Sequence, residues 1–267
     1  MVVMADFLIQ SDKGSSLDFE REIILELLRS EKHLHSYSMY PLDNDMSGLK
    51  KDMIPVGTID FVTEYVKYAY GVEKENPIEI PTYLRTDEFL KRDYRILTSS
   101  ELPKQGKYFF KDVSQLKVFG SVIYADYFIN DDLFDYKRVS EWDSTMVLDR
   151  NHLFQVSSIY DIKAEYRVYV ICGEIESICC YNGDCTVLPD ISLIKKAVGL
   201  IKVNEKFLRS YTIDVMVGNK GTAIIEIHNF TSVGLYSTIW GNNLLYAYVD
   251  GIGYLVNDNH ELQVWRG

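Results

Sequence analysis

The chain has 267 residues, 47% of them apolar and 25% charged, with 39 acidic against 28 basic groups and a net charge of −11. That length can bury one large core or two packed lobes, while the negative field excludes a broad nucleic-acid surface and still allows a local basic pocket. No run approaches the roughly 18 to 20 apolar residues of a bilayer span, and MVVMADFLIQSDKG lacks the apolar length and basic flank of a signal peptide, so a cytoplasmic protein is expected.

ADFLIQ reads as an opening strand, and SSLDFEREIILELLRSEKH as a helix capped by Ser16, with Phe19, Ile23, Ile24, Leu27 and Leu28 on its apolar face. LHSYSMY is a second short strand. MIPVGTIDFVTEYVKYAYG then reads as a Pro-Gly break and a helix, with Phe61, Tyr65, Tyr68 and Ala69 on one side and Gly71 ending it. Alternating strand and helix predict a small parallel-sheet α/β lobe, placed at residues 1–95, with the remaining body at 96–267.

The second body changes character, to an antiparallel α+β pattern. KYFFKD, SVIYADYFI, LFQVSSIYDI, EYRVYVICG, EIESICCYNG, TIDVMVG and TAIIEIHNF are strand-like, and DISLIKKAVGLIKV is a helix. EYRVYVICGEIESICCY predicts a hairpin turning at Gly173-Glu174, and VMVGNKGTAIIEI another turning at Asn219-Lys220-Gly221. Cys172, Cys179, Cys180 and Cys185 fall in one stretch with no CxxC pair, so buried free thiols are expected over a metal site. The 20 tyrosines are scattered and define no stacking motif, and no repeat or flexible linker is visible.

Four islands carry residues suited to chemistry. KYFFKDVSQLKVFGS holds Lys111 at the end of an aromatic strand and Lys117 just before a Gly-Ser turn, fitting either surface lysines or an anion site. In AEYRVYV, Glu165 and Arg167 share one strand face, as a structural pair or as a phosphate-binding arginine with its neighbour. Asp214 in YTIDVMV and Glu226 in AIIEIHNF interrupt apolar strands, and the GNKG between them makes a hairpin natural. The two carboxylates can then lie side by side, as edge groups reaching solvent or as a pair neutralised by a divalent cation. His228 shares the Glu226 face, with Asn229 opposite unless the strand ends there.

The order of these islands resembles the ATP-grasp superfamily, in particular its clade named for an arginine and two lysines, over roughly residues 50–255. YFFKD, QLKVFG, FQVSSIYDI, EYRVYV, TIDVMV and IEIHN carry the resemblance, with MIPVGTIDFV and VGLY in support; His228 stands where the family has a metal-binding asparagine. The resemblance implies an ATP-grasp body of two α+β lobes preceded by a Rossmann-like lobe. It implies phosphate contacts from Lys111 and Lys117, catalytic roles for Lys117 and Arg167, and an Arg167 facing the γ-phosphate or the acyl-phosphate oxygens, with Glu165 orienting it or neighbouring groups. Asp214, Glu226 and His228 or Asn229 would hold Mg2+, and the backbone of Val156, Ser157, Ser158 and Ile159 would face adenine. The implied reaction is ADP-forming: ATP activates a carboxylate as an acyl phosphate, and an amine on a small molecule or peptide attacks it. A nucleotide binder without turnover, a phosphotransferase and a purely structural α+β protein are the alternatives.

Overall fold

The computed structural model describes residues 5–11, 18–31, 35–72, 78–103, 105–113, 120–124, 128–130, 133–134, 146–147, 153–236, 239 and 241–257. Its first strand, β1 (Ala5–Gln10), lies between β2 (His35–Tyr40) and β3 (Met53–Val56), and both neighbours run parallel to it. A central parallel strand is covered on both faces, which is why Phe7, Leu8 and Ile9 form an unbroken apolar run with no exposure. Reading MIPV only as a break missed β3; Pro55 is tolerated there because β3 is the sheet edge, where one row of N–H groups needs no partner.

Helix α1 (Asp18–Ser30) buries Ile24 and Leu28 fully, with Ile23 and Leu27 at the rim. Phe19, expected on that face, is instead 65% exposed, and Ser16 lies outside the described residues. Helix α2 (Ile59–Tyr70) starts where the Thr58 hydroxyl accepts the Phe61 N–H at 3.3 Å and stops at Gly71, whose φ of 71° suits a residue without Cβ. Phe61 and Tyr65 fill one core, flanked by Tyr68 and Ala69 as the spacing predicts, while Val62 and Val66 face the α1 side.

After the short helix α3 (Asp87–Leu90), β4 (Tyr94–Thr98), β5 (Lys107–Asp112), β6 (Gly120–Tyr124) and the later β10 (Leu153–Ser158) form a sheet of order β4-β10-β5-β6. Between β6 and β10, β7 (Phe128–Asn130), β8 (Leu133–Phe134) and β9 (Met146–Val147) make a small sheet of their own. The boundary placed after residue 95 falls inside β4. Ile80, Leu84 and Phe89 already pack into the core of the second body.

The last sheet runs β12-β11-β13-β14, from β11 (Ile162–Ile171), β12 (Glu174–Gly183), β13 (Tyr211–Gly218) and β14 (Gly221–Asn229). Helix α4 (Ile191–Asn204) covers one face with Ile194, Ala197, Val198 and Ile201, a helical spacing that meets Val168, Val170, Ile213 and Val215 of the strands. The Asp190 carboxylate caps it by accepting the Ser192 and Leu193 N–H groups at 2.8 and 3.2 Å. Alternation therefore sends Glu165, Arg167, Tyr169, Thr212, Asp214 and Met216 to the opposite face. Helix α5 (Asn243–Asn257) returns to the first sheet, and its Leu244, Leu245 and Ile252 share a core with Phe7, Ile54 and Tyr169.

The β11–β12 turn is Cys172-Gly173, one residue earlier than expected. Both residues have positive φ, 52° and 77°, the pairing whose twist matches a two-residue hairpin. Cys172 is not a residue that favours that region, so Cys172→Asn is expected to raise stability by about 0.5–1 kcal/mol, measured by thermal unfolding. All four thiols are free, but Cys172 and Cys185 are exposed and Cys179 and Cys180 half-buried. The expectation of buried thiols fails because Cys172 sits in the turn, Cys185 lies past the end of β12, and β12, which carries Cys179 and Cys180, is an edge strand. No helix among the described residues is long and apolar enough to cross a membrane.

Candidate active site

The face of the β11–β14 sheet turned away from α4 carries a transverse row of residues in register. Cys179 of β12 opposes Arg167 of β11, Arg167 opposes Asp214 of β13, and Asp214 opposes Glu226 of β14. The neighbouring row is Ser177, Tyr169, Thr212 and His228. The side-by-side carboxylates expected from the GNKG hairpin are thus direct cross-strand neighbours. Lys111 arrives from β5 in the β4-β10-β5-β6 sheet, and its Nζ makes a close ion pair with Glu226 Oε2. Lys111, Arg167, Asp214, Glu226 and His228 accordingly form one connected cluster where the two sheets meet.

Asp214 is almost completely buried, and its neutralisation is local. Arg167 Nε and Nη2 each donate to one of its oxygens at 2.8 Å, a two-pronged pair. Arg167 Nη1 donates to the Gly234 carbonyl at 3.2 Å. The guanidinium carbon lies 4.8 Å from the Tyr236 ring and 5.7 Å from the Tyr181 ring, which stack on each other at 5.3 Å. Burial opposes the charge, but the pairing with Asp214 outweighs it and keeps Arg167 protonated. Arg167 therefore positions Asp214, a role the resemblance did not imply; its remaining N–H groups are what it has for a phosphate.

Glu226 is held differently. Burial pushes its carboxyl up, yet His228 and Lys111 together overcome that and hold it below the ordinary carboxylate range. His228 Nε2 is 2.7 Å from Glu226 Oε1 and 3.7 Å from Asp214 Oδ2. It is buried with no aligned hydrogen-bond partner among the described residues, so the short approach is not a formed N–H bond. Ligand atoms of Asp214, Glu226 and His228 all fall within 4.8 Å of one another. Two donors at right angles around an ion at about 2.1 Å stand about 3 Å apart. Two carboxylates and an imidazole nitrogen at these separations fit a divalent cation, and a bound ion would give the orphaned Nε2 its partner.

Other expected residues are placed differently. Asn229 turns to the opposite face, where its Nδ2 donates to the Gly251 carbonyl at 3.0 Å and its Oδ1 accepts from Thr231 N and Oγ1 at 3.0 Å, capping a 3₁₀ turn. That corrects its place in a metal shell: the strand runs on to Asn229 without a second bulge. Glu165 is engaged by β12 instead: it accepts the Tyr181 hydroxyl at 2.7 Å and the Asn182 amide at 3.3 Å. Val156 and Ser157 have strand neighbours on both sides, and Ser158 pairs with Tyr108 while its N–H donates to the Asp93 carbonyl at 3.1 Å, so of the four only Ile159 lies past the end of the strand. Lys117 lies outside the described residues.

Four further residues around the site, Tyr169, Tyr181, Tyr236 and Glu20, were not singled out by the sequence. Tyr169 donates its hydroxyl to Gly234 O at 2.9 Å and accepts Tyr236 N–H at 2.7 Å, and burial lifts its phenol to about 12, so it stays a donor. Tyr181 and Tyr236 form the stack beside Arg167, a pairing that no sequence motif marks. Glu20 of α1 accepts the Leu235 N–H at 3.0 Å, tying the first sheet's helix to the same loop. Tyr169 was readable, since it follows Arg167 at strand spacing; Glu20 was not, because its partner is 215 residues away.

Two sheets, with a lysine of one meeting the arginine–carboxylate row of the other, frame the candidate site. Residues 89–242, more than half the chain, match the ATP-grasp domain family numbered 2 in the clade named for an arginine and two lysines, and the chain belongs to that family. Membership supports an ATP-dependent carboxylate–amine ligase as the general class. The chain is similar in fold to D-alanine–D-alanine ligase from Bacillus anthracis complexed with ATP, at 14% identity and TM-score 0.51, over 97% of this chain and 100% of that one. It is similar to D-alanyl-alanine synthetase A from Vibrio cholerae O1 biovar eltor, at 10% identity and TM-score 0.54, over 94% and 99%. The D-cycloserine synthetase DcsG gives 9% identity and TM-score 0.53 over the same shares, 94% and 99%. At these identities the likeness shows the fold alone. Comparison with curated proteins finds no match.

Proposed function

We propose that the protein is an ADP-forming carboxylate–amine ligase whose nucleotide lies between β5 and the β11–β14 sheet. The contact between Lys111 of one sheet and Glu226 of the other carries this reading, because it brings a lysine ammonium to a three-donor cation site where the two sheets meet. An N-terminal lobe ending soon after α2 and an ATP-grasp body from about residue 78 accompany the proposal, replacing the boundary at residue 95.

In this reading Asp214, Glu226 and His228 hold the cation, Arg167 fixes Asp214, and Lys111 leaves Glu226 for the phosphate oxygens when the nucleotide enters. Lys117 is the second phosphate lysine, and Ile159 borders adenine. The ion, when bound, withdraws charge from phosphoryl oxygens and aligns them. A substrate carboxylate oxygen attacks the γ-phosphorus and ADP leaves. The amine nitrogen then attacks the acyl carbon, phosphate leaves with the bonding pair, and the nitrogen's proton passes to solvent. Small-molecule and peptide amines both fit that chemistry, and the protein acts in the cytoplasm in this reading.

Calorimetry tests the binding half. Mg·ATP is expected to bind the wild type, and Lys111→Ala to weaken it about 10- to 100-fold, the worth of one charge-assisted bond. Binding unchanged in both Lys111→Ala and Glu226→Ala would refute the placement.

His228 favours a second reading, nucleotide binding without turnover, since imidazole is a poorer ligand for Mg2+ than an amide or carboxylate oxygen. The ligase reading expects Mn2+ to support more ADP release than Mg2+, and His228→Asn to reverse that preference by about tenfold. Absence of ADP release with either ion, in the presence of carboxylates and amines, favours the binder.

A further inference from the structure

Arg92 belongs to none of the sequence islands that mark the candidate site. It follows Lys91, the left-handed residue that ends α3, and folds back beneath β14. Its Nη1 donates to the carbonyls of Ile224 at 2.7 Å and Leu90 at 3.1 Å, and Nη2 lies 3.5 Å from the carbonyl of Ile225. Tyr94 covers it at 5.9 Å, and no carboxylate pairs with it among the described residues. Burial lowers its pKa to about 10, a desolvation cost that the nearby Tyr94 and Tyr160 offset in part, and its hydrogen bonds among the described residues go to main-chain carbonyls.

Those carbonyls belong to the bulge on which the candidate site depends. From the Gly218–Gly221 turn the β13–β14 pairs run Met216 with Ala223 and Val215 with Ile224. The next pair is Asp214 with Glu226, so Ile225 is the extra residue. Side chains confirm the phase: Ile224 and Ile227 enter the core under α4, while Ile225 packs beside Met216 and Ala223 on the site face. In an unbulged ladder Asp214 would oppose Ile225. Glu226 would then oppose Ile213, sending it and His228 to the helix-covered face. The donor set exists only because one residue is held out of register there.

We propose that Arg92 is a positioning residue: by gripping the carbonyls of Ile224 and Ile225 it fixes the β14 bulge and so sets Glu226 and His228 on the face of Asp214, where the three bind a divalent cation. This rests on the metal–nucleotide reading given above. Leu90, the third carbonyl, anchors the guanidinium to α3, so the clamp joins the start of the second body to its metal-bearing strand. Lysine in its place retains charge and one bond but cannot span two successive carbonyls.

The test uses Arg92→Lys and Arg92→Gln in the full chain, with Asp214→Asn as the site control and Mn2+ alone as the probe. Mn2+ affinity is read by paramagnetic resonance without nucleotide, and thermal unfolding is recorded for each protein. Arg92→Gln is expected to weaken Mn2+ at the Asp214-dependent site about 10- to 100-fold, and Arg92→Lys by less. Where turnover is measurable, the Mn2+ concentration for half-maximal rate rises by the same factor, and kcat at saturating Mn2+ returns to near the wild-type value. Arg92→Lys carries the test if Arg92→Gln does not fold. Wild-type Mn2+ affinity in a folded Arg92 variant, a loss of affinity that merely follows loss of thermal stability, or no Asp214-dependent site in the wild type would each overturn the role. Wild-type Mn2+ binding weakened by the Arg92 variants, with no ATP turnover in any protein, supports the clamp while refuting the ligase reading.

Discussion

Glu226→Gln is expected to lower ATP turnover about 1000-fold while leaving the fold intact, the largest effect of any single substitution in the site. Glutamine fills the same volume and can still meet Lys111, so the change removes charge alone. The carboxylate serves three partners: it opposes Asp214 on the sheet, meets His228 Nε2, and receives Lys111 from β5. Without its charge, the cation site keeps one carboxylate, and that one is already occupied by Arg167. Lys111 would also lack the counter-ion that orders it before nucleotide arrives. Single-turnover ADP release with matched circular dichroism checks the outcome. Turnover within about fivefold of wild type would show that Glu226 holds no catalytic ion.

Arg167→Met is expected to cost stability as well as activity. The side chain and Asp214 are both nearly excluded from water, and removing one member of such a pair strands the other's charge. Breaking a buried pair in this way costs about 3–5 kcal/mol, which for a chain of this size lowers the unfolding temperature by about 10 °C. Gly234 loses a donor at the same time, and the Tyr181–Tyr236 stack loses the cation beside it. Replacing both members, Arg167→Met with Asp214→Leu, is expected to recover most of the stability and none of the turnover, because apolar residues fill the space without the desolvation cost. Calorimetric unfolding of the two variants separates these effects. A melting temperature for Arg167→Met within about 2 °C of wild type would mean that the pair carries little structural weight.

The longer strands of the second body and helices α1, α2 and α4 were legible from periodicity while β3, β4 and α5 were not, and the anomaly that located the site was legible too. A carboxylate in an apolar strand is costly, and two of them joined by a tight turn fix each other's neighbour; Asp214 and Glu226 could be paired on that ground alone. What could not be read was which face Glu226 takes, since that depends on the Ile225 bulge, and no glycine or proline marks it. Strand spacing placed Glu165 and Arg167 on one face but not their partners, and each chose a residue from another strand or beyond. Arg92 sits in KRDYR, which looks like a solvated charge run; only the fold of α3 against β14 makes it a clamp. Pro55 misled in the same way, because whether a strand is an edge is a property of the sheet.

The most direct trial is anomalous diffraction from crystals soaked with Mn2+ and a non-hydrolysable ATP analogue. A manganese peak within coordination distance of Asp214, Glu226 and His228, with the phosphates reaching toward Lys111, is the predicted result. Manganese and nucleotide found away from the place where β5 and β14 meet would contradict it.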